Sequence, residues 1–361
     1  MFLKGQAGGI RCCTTDNDLW RTSRRINRMR AVRYLITGGS GYIGSRLTEI
    51  LAAREEVEEI VNLDVRPPAR PLAKATFVRG DVRDFAAIRD LLERSQPEAL
   101  VHLAFVLNPI RDEARMYDID VNGTQAVLHA AAEAGTQQVL VTSSATAYGA
   151  FADNPRPIAE DWPVRGQPDF SNARHKAEAD RLCQLWALEQ PDRVMTIVRP
   201  CIVFGPNVDN YISRGWEKSS FMPIMDGVDE EFQLVHEDDV VSAITGLLDA
   251  KAGGAFNVAG DGALRWGESA QMIGLKTREM SLKAVRRMYG VAWALHVPRV
   301  EAPPGNLNFI RYPWVVSNEK LKAEIGWEPS ADTREVFVEA MHAKGLVATP
   351  PSRAPGTPAA A

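Results

Sequence analysis

Three glycines follow a short apolar segment near the start of the chain. Residues 34–36 (YLI) have the composition of a buried parallel strand, and Gly38, Gly41 and Gly44 come soon after them. Residues 45–51 then have helical spacing. A strand that turns on glycines into a helix presents unpaired backbone N–H groups and the positive end of a helix dipole. The pattern predicts a pyrophosphate site, in which Gly38 permits the turn, Gly41 lets the backbone approach the phosphates, and Gly44 lets the helix pack closely.

A carboxylate occurs at the distance expected for recognition of an adenosine ribose. Asp64 ends the segment 59–64, which is typical of a second strand, about twenty residues beyond the last glycine. A carboxylate there accepts hydrogen bonds from the ribose hydroxyls and repels a 2′-phosphate, so the sequence favours NAD over NADP. Arg66 keeps NADP open, because a guanidinium could hold a 2′-phosphate. The alternative is an α/β turn that binds no phosphate.

The composition of the chain excludes several function classes. Its 361 residues are 45% hydrophobic and 24% charged, as in globular proteins with a sizeable core. The net charge of -4 indicates no general affinity for nucleic acid. No apolar run is long enough for a membrane span, although the segment 288–297 could contact a membrane surface or, as we favour, pack beside a substrate cleft.

The cysteines have no metal-ligand spacing, so we expect no metal site and a cytoplasmic protein. They are Cys12, Cys13, Cys183 and Cys201.

Strand and helix patterns alternate from residue 31 to about residue 204. This alternation predicts an α/β fold, a Rossmann-type doubly wound parallel sheet that binds a dinucleotide at the carboxyl ends of its strands. Residues 205–345 lose the alternation and are predicted to form mainly a smaller substrate-binding lobe, with some segments returning to the sheet. Residues 1–30 and 346–361 are predicted to be a disordered extension and a disordered tail.

The chain resembles a known family, the extended short-chain dehydrogenase/reductases, and within it the NAD-dependent epimerase/dehydratase group. The resemblance runs from about residue 33 to about residue 329. It rests on residues 37–44 (TGGSGYIG), 80–84 (GDVRD), 101–104 (VHLA), 120–124 (DVNGT), 143–149 (SSATAYG), 198–200 (VRP), 235–240 (VHEDDV), 256–258 (FNV) and 326–329 (GWEP).

The resemblance implies which residues form the site. Ser144 matches the catalytic Ser/Thr that hydrogen-bonds the substrate oxygen, and Lys176 matches the lysine that holds the nicotinamide ribose. It also implies a homodimer through the helices at 120–134 and 172–188. The residues implied to bind the cofactor are Gly38, Gly41, Tyr42, Ile43, Gly44, Asp64, Arg66, Asp81, Val82, Leu103, Ala104 and Lys176.

The catalytic tyrosine of the family is replaced. Its position, four residues before Lys176, is Asn172, and a carboxamide does not titrate usefully. Loss of a general acid/base costs roughly 10²–10⁴ in rate. Three hypotheses follow. The chain could be an active oxidoreductase in which water, Ser144 or His175 relays the proton, or an NAD-binding protein with little turnover. In the third, Tyr148 takes the place of the catalytic tyrosine. We expect His175 to be a solvated surface residue.

The substrate is predicted only coarsely, as a sugar-like or other small molecule whose alcohol or carbonyl carbon exchanges a hydride. Glu230 and Glu231 stand where sugar-nucleotide members commonly carry an arginine, and two carboxylates would repel a diphosphate. Arg214, Arg299 and Arg311 are cations without an assigned role.

Overall fold

A computed structural model describes residues 31–298 and 300–348 of the chain. Cys12, Cys13, Arg299, the predicted extension 1–30 and most of the predicted tail lie outside the described residues.

Between residues 31 and 204 the strands and helices agree in type and order with the sequence pattern. The strands are β1 (Val32–Thr37), β2 (Val57–Asp64), β3 (Ala75–Arg79), β4 (Ala99–His102), β5 (Gln138–Thr142), β6 (Val194–Pro200), β7 (Ile202–Phe204), β8 (Phe221–Met225), β9 (Glu231–Phe232), β10 (Leu234–His236), β11 (Gly254–Val258), β12 (Leu264–Arg265) and β13 (Lys276–Met280). The helices are α1 (Tyr42–Ala53), α2 (Phe85–Ser95), α3 (Glu113–Tyr117), α4 (Gly123–Glu133), α5 (Ser171–Glu189), α6 (Tyr211–Lys218), α7 (Glu237–Ala250), α8 (Trp266–Met272), α9 (Leu282–Ala294), α10 (Asn308–Arg311), α11 (Glu319–Ile325) and α12 (Thr333–Ala343).

Seven parallel strands form the main sheet, in the order β11-β6-β5-β4-β1-β2-β3. Alternate residues of its strands face two different cores. Leu35 and Leu100 belong to one buried cluster, while Ile36 and Val101 belong to the other. Apolar cores on both faces are the mark of a doubly wound α/β sheet, which confirms the predicted fold class.

The strand order of the main sheet reverses at β1. Strand β1 pairs with β2 on one side and with β4 on the other, and the carboxyl ends of these strands therefore face a crevice. From Ile202 onward three two-stranded pairs, β7 with β10, β8 with β13 and β9 with β12, accompany the shorter helices. Helix α7 and strand β11 return to the main sheet, where β11 pairs with β6. The boundary near residue 205 remains a prediction.

No helix in the described ranges is both long and apolar enough to cross a membrane. Helix α9, which contains most of the apolar segment 288–297, lies beside the large cavity described below, as the favoured interpretation predicts.

Candidate active site

One cavity of about 1200 Å³ opens along the carboxyl ends of the main strands. The structure brings all the sequence-predicted site residues to its wall. They are Gly38, Gly41, Tyr42, Ile43, Gly44, Asp64, Arg66, Asp81, Val82, Leu103, Ala104, Ser144, Asn172 and Lys176.

The turn between β1 and α1 has the geometry needed to hold an anion. Gly38 has a φ of +75°, and a Cβ on it would lie 2.6 Å from the backbone nitrogen of Ala104. A Cβ on Gly44 would lie 2.2 Å from the carbonyl oxygen of Gly38, so only glycine allows this close packing. Gly41 is the N-cap of α1 and makes no side-chain cap hydrogen bond, so the first N–H groups of the helix remain available. Open N–H groups at a helix N-terminus, beside glycines in a cavity wall, fit a pyrophosphate.

The Asp64 carboxylate lies at the end of β2, on the cavity wall. It accepts hydrogen bonds from the backbone N–H groups of Ser40 and Arg66, each at 3.1 Å. Further along the wall, Asp81 forms an ion pair of 2.7 Å with Arg83, and hydrogen bonds from Arg83 lower the pKa of the Asp81 carboxyl. Both acids thus hold loops that form the cavity wall.

Tyr42 connects the start of α1 to the start of α7, a contact that sequence reasoning missed. Its hydroxyl donates a hydrogen bond to the Glu237 carboxylate, which also accepts one from Asn207 at 2.7 Å. Burial raises the pKa of Glu237, and burial together with the charge of Glu237 raises the pKa of Tyr42. The two residues are 195 positions apart, and no local pattern in the sequence indicates the contact.

Ser144 follows β5 with its hydroxyl oriented by a neighbour. Its Oγ accepts hydrogen bonds from the backbone N–H of Thr146 at 3.1 Å and from the Thr146 hydroxyl at 2.9 Å. Since Oγ accepts both bonds, the Ser144 proton is left to be donated into the cavity. Thr146 also lines the cavity and is a positioning residue that the sequence reasoning passed over.

Lys176 brings a buried ammonium to the cavity. Its Nζ donates a hydrogen bond of 2.8 Å to the carbonyl oxygen of Thr142 and lies 3.5 Å from the centroid of the Phe105 ring. Burial lowers the pKa of Lys176 to about 8, against the opposing charge of Asp120. The sequence did not indicate the contact with Phe105.

This pKa predicts a pH dependence of turnover. Burial disfavours the charged form of Lys176, so the ammonium holds its proton below about pH 8 and loses it above that value. We expect kcat/KM to fall as the pH rises through about 8 in the wild type. Lys176→Arg, whose guanidinium stays charged, should lack this decrease. Steady-state kinetics at pH values below and above 8 would check this decrease. A wild-type kcat/KM that does not change with pH would show that the charge of Lys176 is not needed.

Asn172 holds a loop rather than standing free in the site. Its Nδ2 lies 3.3 Å from the carbonyl oxygen of Val106 and 3.4 Å from that of Leu107. The same loop is held by Asp120, whose Oδ1 accepts a 2.8 Å hydrogen bond from the Val106 N–H. The amide N–H groups of Asn172 are therefore engaged with the loop that covers the site, and the Oδ1 atom remains as an acceptor.

The expectation that His175 is solvated is wrong. Its side chain is 0% exposed, its Nδ1 lies 3.1 Å from Asp120 Oδ2, and its ring packs edge-on against Tyr117 at 5.3 Å. His175 does not line the cavity in the described part of the chain, so it supports Asp120 and does not touch a substrate. Spacing in the sequence placed it on α5 but could not show which face of the helix is covered.

Tyr148 does not take the place of the catalytic tyrosine. It is fully buried away from the cavity, donates a 2.8 Å hydrogen bond to Asn257 and accepts one of 2.7 Å from Arg199.

The acidic pair near β9 does not act as predicted. Glu230 is buried and accepts two hydrogen bonds of 2.7 Å from Arg156, and neither Glu230 nor Glu231 lines the cavity. Their repulsion of a diphosphate is therefore not the feature that limits the substrate. Arg311 lies 3.7 Å from Asp226, outside the cavity wall.

Metal ligands are not clustered in the described residues, where no group of three or more His, Cys, Asp or Glu side chains could hold an ion. The two cysteines within these ranges, Cys183 and Cys201, are unpaired and buried.

The residues that form the sheet and most of the cavity match one protein family. Its model, described as the NAD dependent epimerase/dehydratase family, matches residues 34–259. The chain belongs to this family. The resemblance seen in the sequence is thereby confirmed.

The chain is also similar to other curated proteins and to solved structures of other proteins. Uncharacterized protein Rv0501 of Mycobacterium tuberculosis is 25% identical over 324 residues, which cover 86% of this chain and 84% of that protein. Sterol demethylase protein B of Methylococcus capsulatus is 34% identical over 176 residues, 48% of this chain and 52% of that protein. The crystal structure of DesIV, a dTDP-glucose 4,6-dehydratase from Streptomyces venezuelae with NAD bound, has a TM-score of 0.66 at 21% identity and covers 88% of this chain and 99% of that chain. The structural likeness supports the fold.

Proposed function

We propose that this family member is an NAD-dependent oxidoreductase that transfers a hydride between the cofactor and an alcohol or carbonyl carbon of a small substrate. One observation carries the proposal. A single cavity joins the glycine turn and Asp64 at one part of its wall to Ser144 and Lys176 at another. The family match supports NAD as the cofactor, and so does the NAD in the DesIV crystals. The Asp64 carboxylate favours NAD over NADP, while Arg66, which also lines the cavity, is exposed.

The residues of the chain have distinct tasks in this reaction. Bound NAD would supply a nicotinamide carbon that accepts or returns the hydride. In the oxidation, the substrate carbon–hydrogen bond breaks and its electron pair leaves as hydride, while the hydroxyl proton passes to solvent water and the substrate oxygen accepts a hydrogen bond from the Ser144 hydroxyl. Thr146 keeps that hydroxyl oriented. The Lys176 ammonium stabilises negative charge that develops on the substrate oxygen or holds the nicotinamide ribose.

Asn172 favours a second candidate function, an NAD-binding protein with little turnover. Its carboxamide is committed to the carbonyl groups of Val106 and Leu107 and has no proton to exchange near neutral pH. In that case the cavity would bind the dinucleotide without a competent general acid.

Substitution of Asn172 separates the two functions. We expect the NAD-saturated wild type to oxidise at least one member of a panel of secondary alcohols and nucleotide sugars. Asn172→Tyr should raise kcat by about tenfold or more, because a phenol near the Lys176 ammonium can exchange a proton. The absorbance of the NADH formed measures the turnover of the wild type and of the tyrosine variant.

Asn172→Phe is the matched control, since it has the same ring without the hydroxyl and should show no gain. Turnover in the tyrosine variant alone would favour the NAD-binding function over the oxidoreductase.

We also infer a homodimer and a cytoplasmic location. Leu185 and Leu188 on α5 are exposed, with 54% and 78% of their surface accessible, and α5 is one of the two helices implied to pair. The free thiols of Cys183 and Cys201 agree with a reducing compartment.

A further inference from the structure

The cavity is larger than a cofactor site needs, and the wall beyond the loop held by Asn172 is apolar. Ligand pockets usually measure about 300–1000 Å³, whereas this cavity measures about 1200 Å³. There is room for a second molecule beside the dinucleotide. Helix α6, strand β8, helix α9 and the segment around α10 line this part, which we call the distal wall. Its apolar side chains include Phe221, Met222, Val285, Ala292, Phe309 and Ile310.

The cations of the distal wall are already matched by carboxylates. In the described residues, the cavity-lining cations outside the predicted cofactor and catalytic residues are Arg214 and Lys218, both on α6. Glu301 accepts hydrogen bonds from Arg214 Nε at 2.8 Å and from Lys218 Nζ at 2.7 Å. Arg214 also pairs with Asp209 at 2.5 Å. Hydrogen bonds from Arg214 hold the pKa of Glu301 below its usual range, so the carboxylate stays charged near neutral pH.

These ion pairs disfavour the binding of a ligand that carries a diphosphate. Two positive charges face two negative ones, so the cluster adds no net charge to attract an anion. A diphosphate would have to displace Glu301, leaving that carboxylate without its partners at a partly buried position. An uncharged ligand leaves the cluster intact.

Two neutral hydroxyl groups supply polarity to the distal wall. Tyr211 and Tyr289 both line the cavity, and no hydrogen bond to either hydroxyl is found among the described residues. Burial raises the pKa of each phenol, so both keep their protons and can donate to an alcohol or carbonyl oxygen. An apolar wall with a few neutral donors is the usual surround of a hydrophobic ligand.

We propose that the distal wall binds a largely apolar, uncharged molecule that carries an alcohol or ketone, and that it selects against nucleoside diphosphates. This inference rests on the proposed function, because it names the substrate class of the same site.

Binding of Nile red, an uncharged apolar fluorophore, tests the inference without turnover. The full chain is first saturated with NAD, and NAD uptake is recorded in the same samples by calorimetry. We expect Nile red to bind the NAD-loaded wild type, 2-dodecanol to displace it, and UDP-glucose to fail to do so. A chain that takes up no NAD contradicts the proposed function, while the Nile red measurement still reports on the distal wall.

Two alanines of α9 provide a matched pair of variants. Ala292 lines the cavity, whereas Ala294 is exposed and does not. Ala292→Glu should weaken Nile red and 2-dodecanol binding by about tenfold or more, because a carboxylate in an apolar wall must be desolvated. Ala294→Glu on the same helix should leave both unchanged.

Glu301→Gln tests the charge argument. The variant removes the carboxylate that matches Arg214 and Lys218, so UDP-glucose should bind about tenfold more tightly than to the wild type, with 2-dodecanol unaffected. The proposal is overturned if the wild type does not bind Nile red, or if UDP-glucose displaces Nile red at lower concentration than 2-dodecanol does.

Discussion

Gly41→Val raises the dissociation constant for NAD by about 10²-fold or more. A Cβ on Gly41 would lie 3.1 Å from the carbonyl oxygen of Gly38, a tight contact, with no other atom within 4 Å outside the adjoining chain. Because Gly41 lines the cavity, we expect the valine methyl groups to occupy the space from which the first N–H groups of α1 reach a pyrophosphate. Hydrogen bonds to charged groups contribute about 1.5–3 kcal/mol each, so loss of two accounts for the effect. Isothermal titration of NAD into the folded variant measures it.

Gly253→Val is the control for this substitution. Gly253 precedes β11 away from the cavity, and the nearest atom to its added Cβ is the Met195 carbonyl oxygen at 3.8 Å. That variant should bind NAD as the wild type does. Unchanged NAD affinity in Gly41→Val, with its circular dichroism spectrum intact, would place the phosphates elsewhere.

Lys176→Met lowers kcat/KM by about 10²–10⁴-fold, the range typical for removing a group that supports proton transfer or charge development. Methionine keeps the apolar stem as far as Cε and lacks the ammonium, so the Nζ contacts with the Thr142 carbonyl oxygen and the Phe105 ring are lost together. Steady-state NADH formation with the best substrate of the alcohol panel provides the measurement. We expect NAD to remain bound, with at most about tenfold weaker affinity, because the glycine turn is untouched.

Lys320 offers a close match for a control. Its Nζ donates a 2.8 Å hydrogen bond to the Ala255 carbonyl and lies 4.5 Å from the ring of Phe256, the same two kinds of contact that Lys176 makes. It lies outside the cavity wall, so Lys320→Met should retain wild-type kinetics. Equal losses in the two variants would mean that Lys176 acts on the fold and not on the reaction.

The main sheet and the cofactor end of the site could be predicted from the sequence because their signals are local. The β1–α1 turn requires glycines at fixed positions, and Asp64 follows at the end of the next strand. Each of these features depends on neighbours within one βαβ unit, where spacing and geometry are tightly coupled. The order and type of the flanking elements follow from hydrophobic periodicity in the same way.

The remaining features depend on contacts between distant parts of the chain. Glu301 meets Arg214 across 87 positions, and Glu230 meets Arg156 across 74, so the sequence shows the charges but not the pairs. His175 was misjudged for the same reason, since its burial is decided by Asp120 and not by the spacing within α5. Residues of one type look alike in a sequence whether they face water, a core or a partner.

Titration of NAD and NADP into the full wild-type chain shows whether the cavity binds a dinucleotide. We expect one NAD site per chain, with NADP binding about tenfold more weakly or worse because the Asp64 carboxylate repels a 2′-phosphate. Correctly folded protein that takes up neither dinucleotide would contradict the assignment of the cavity.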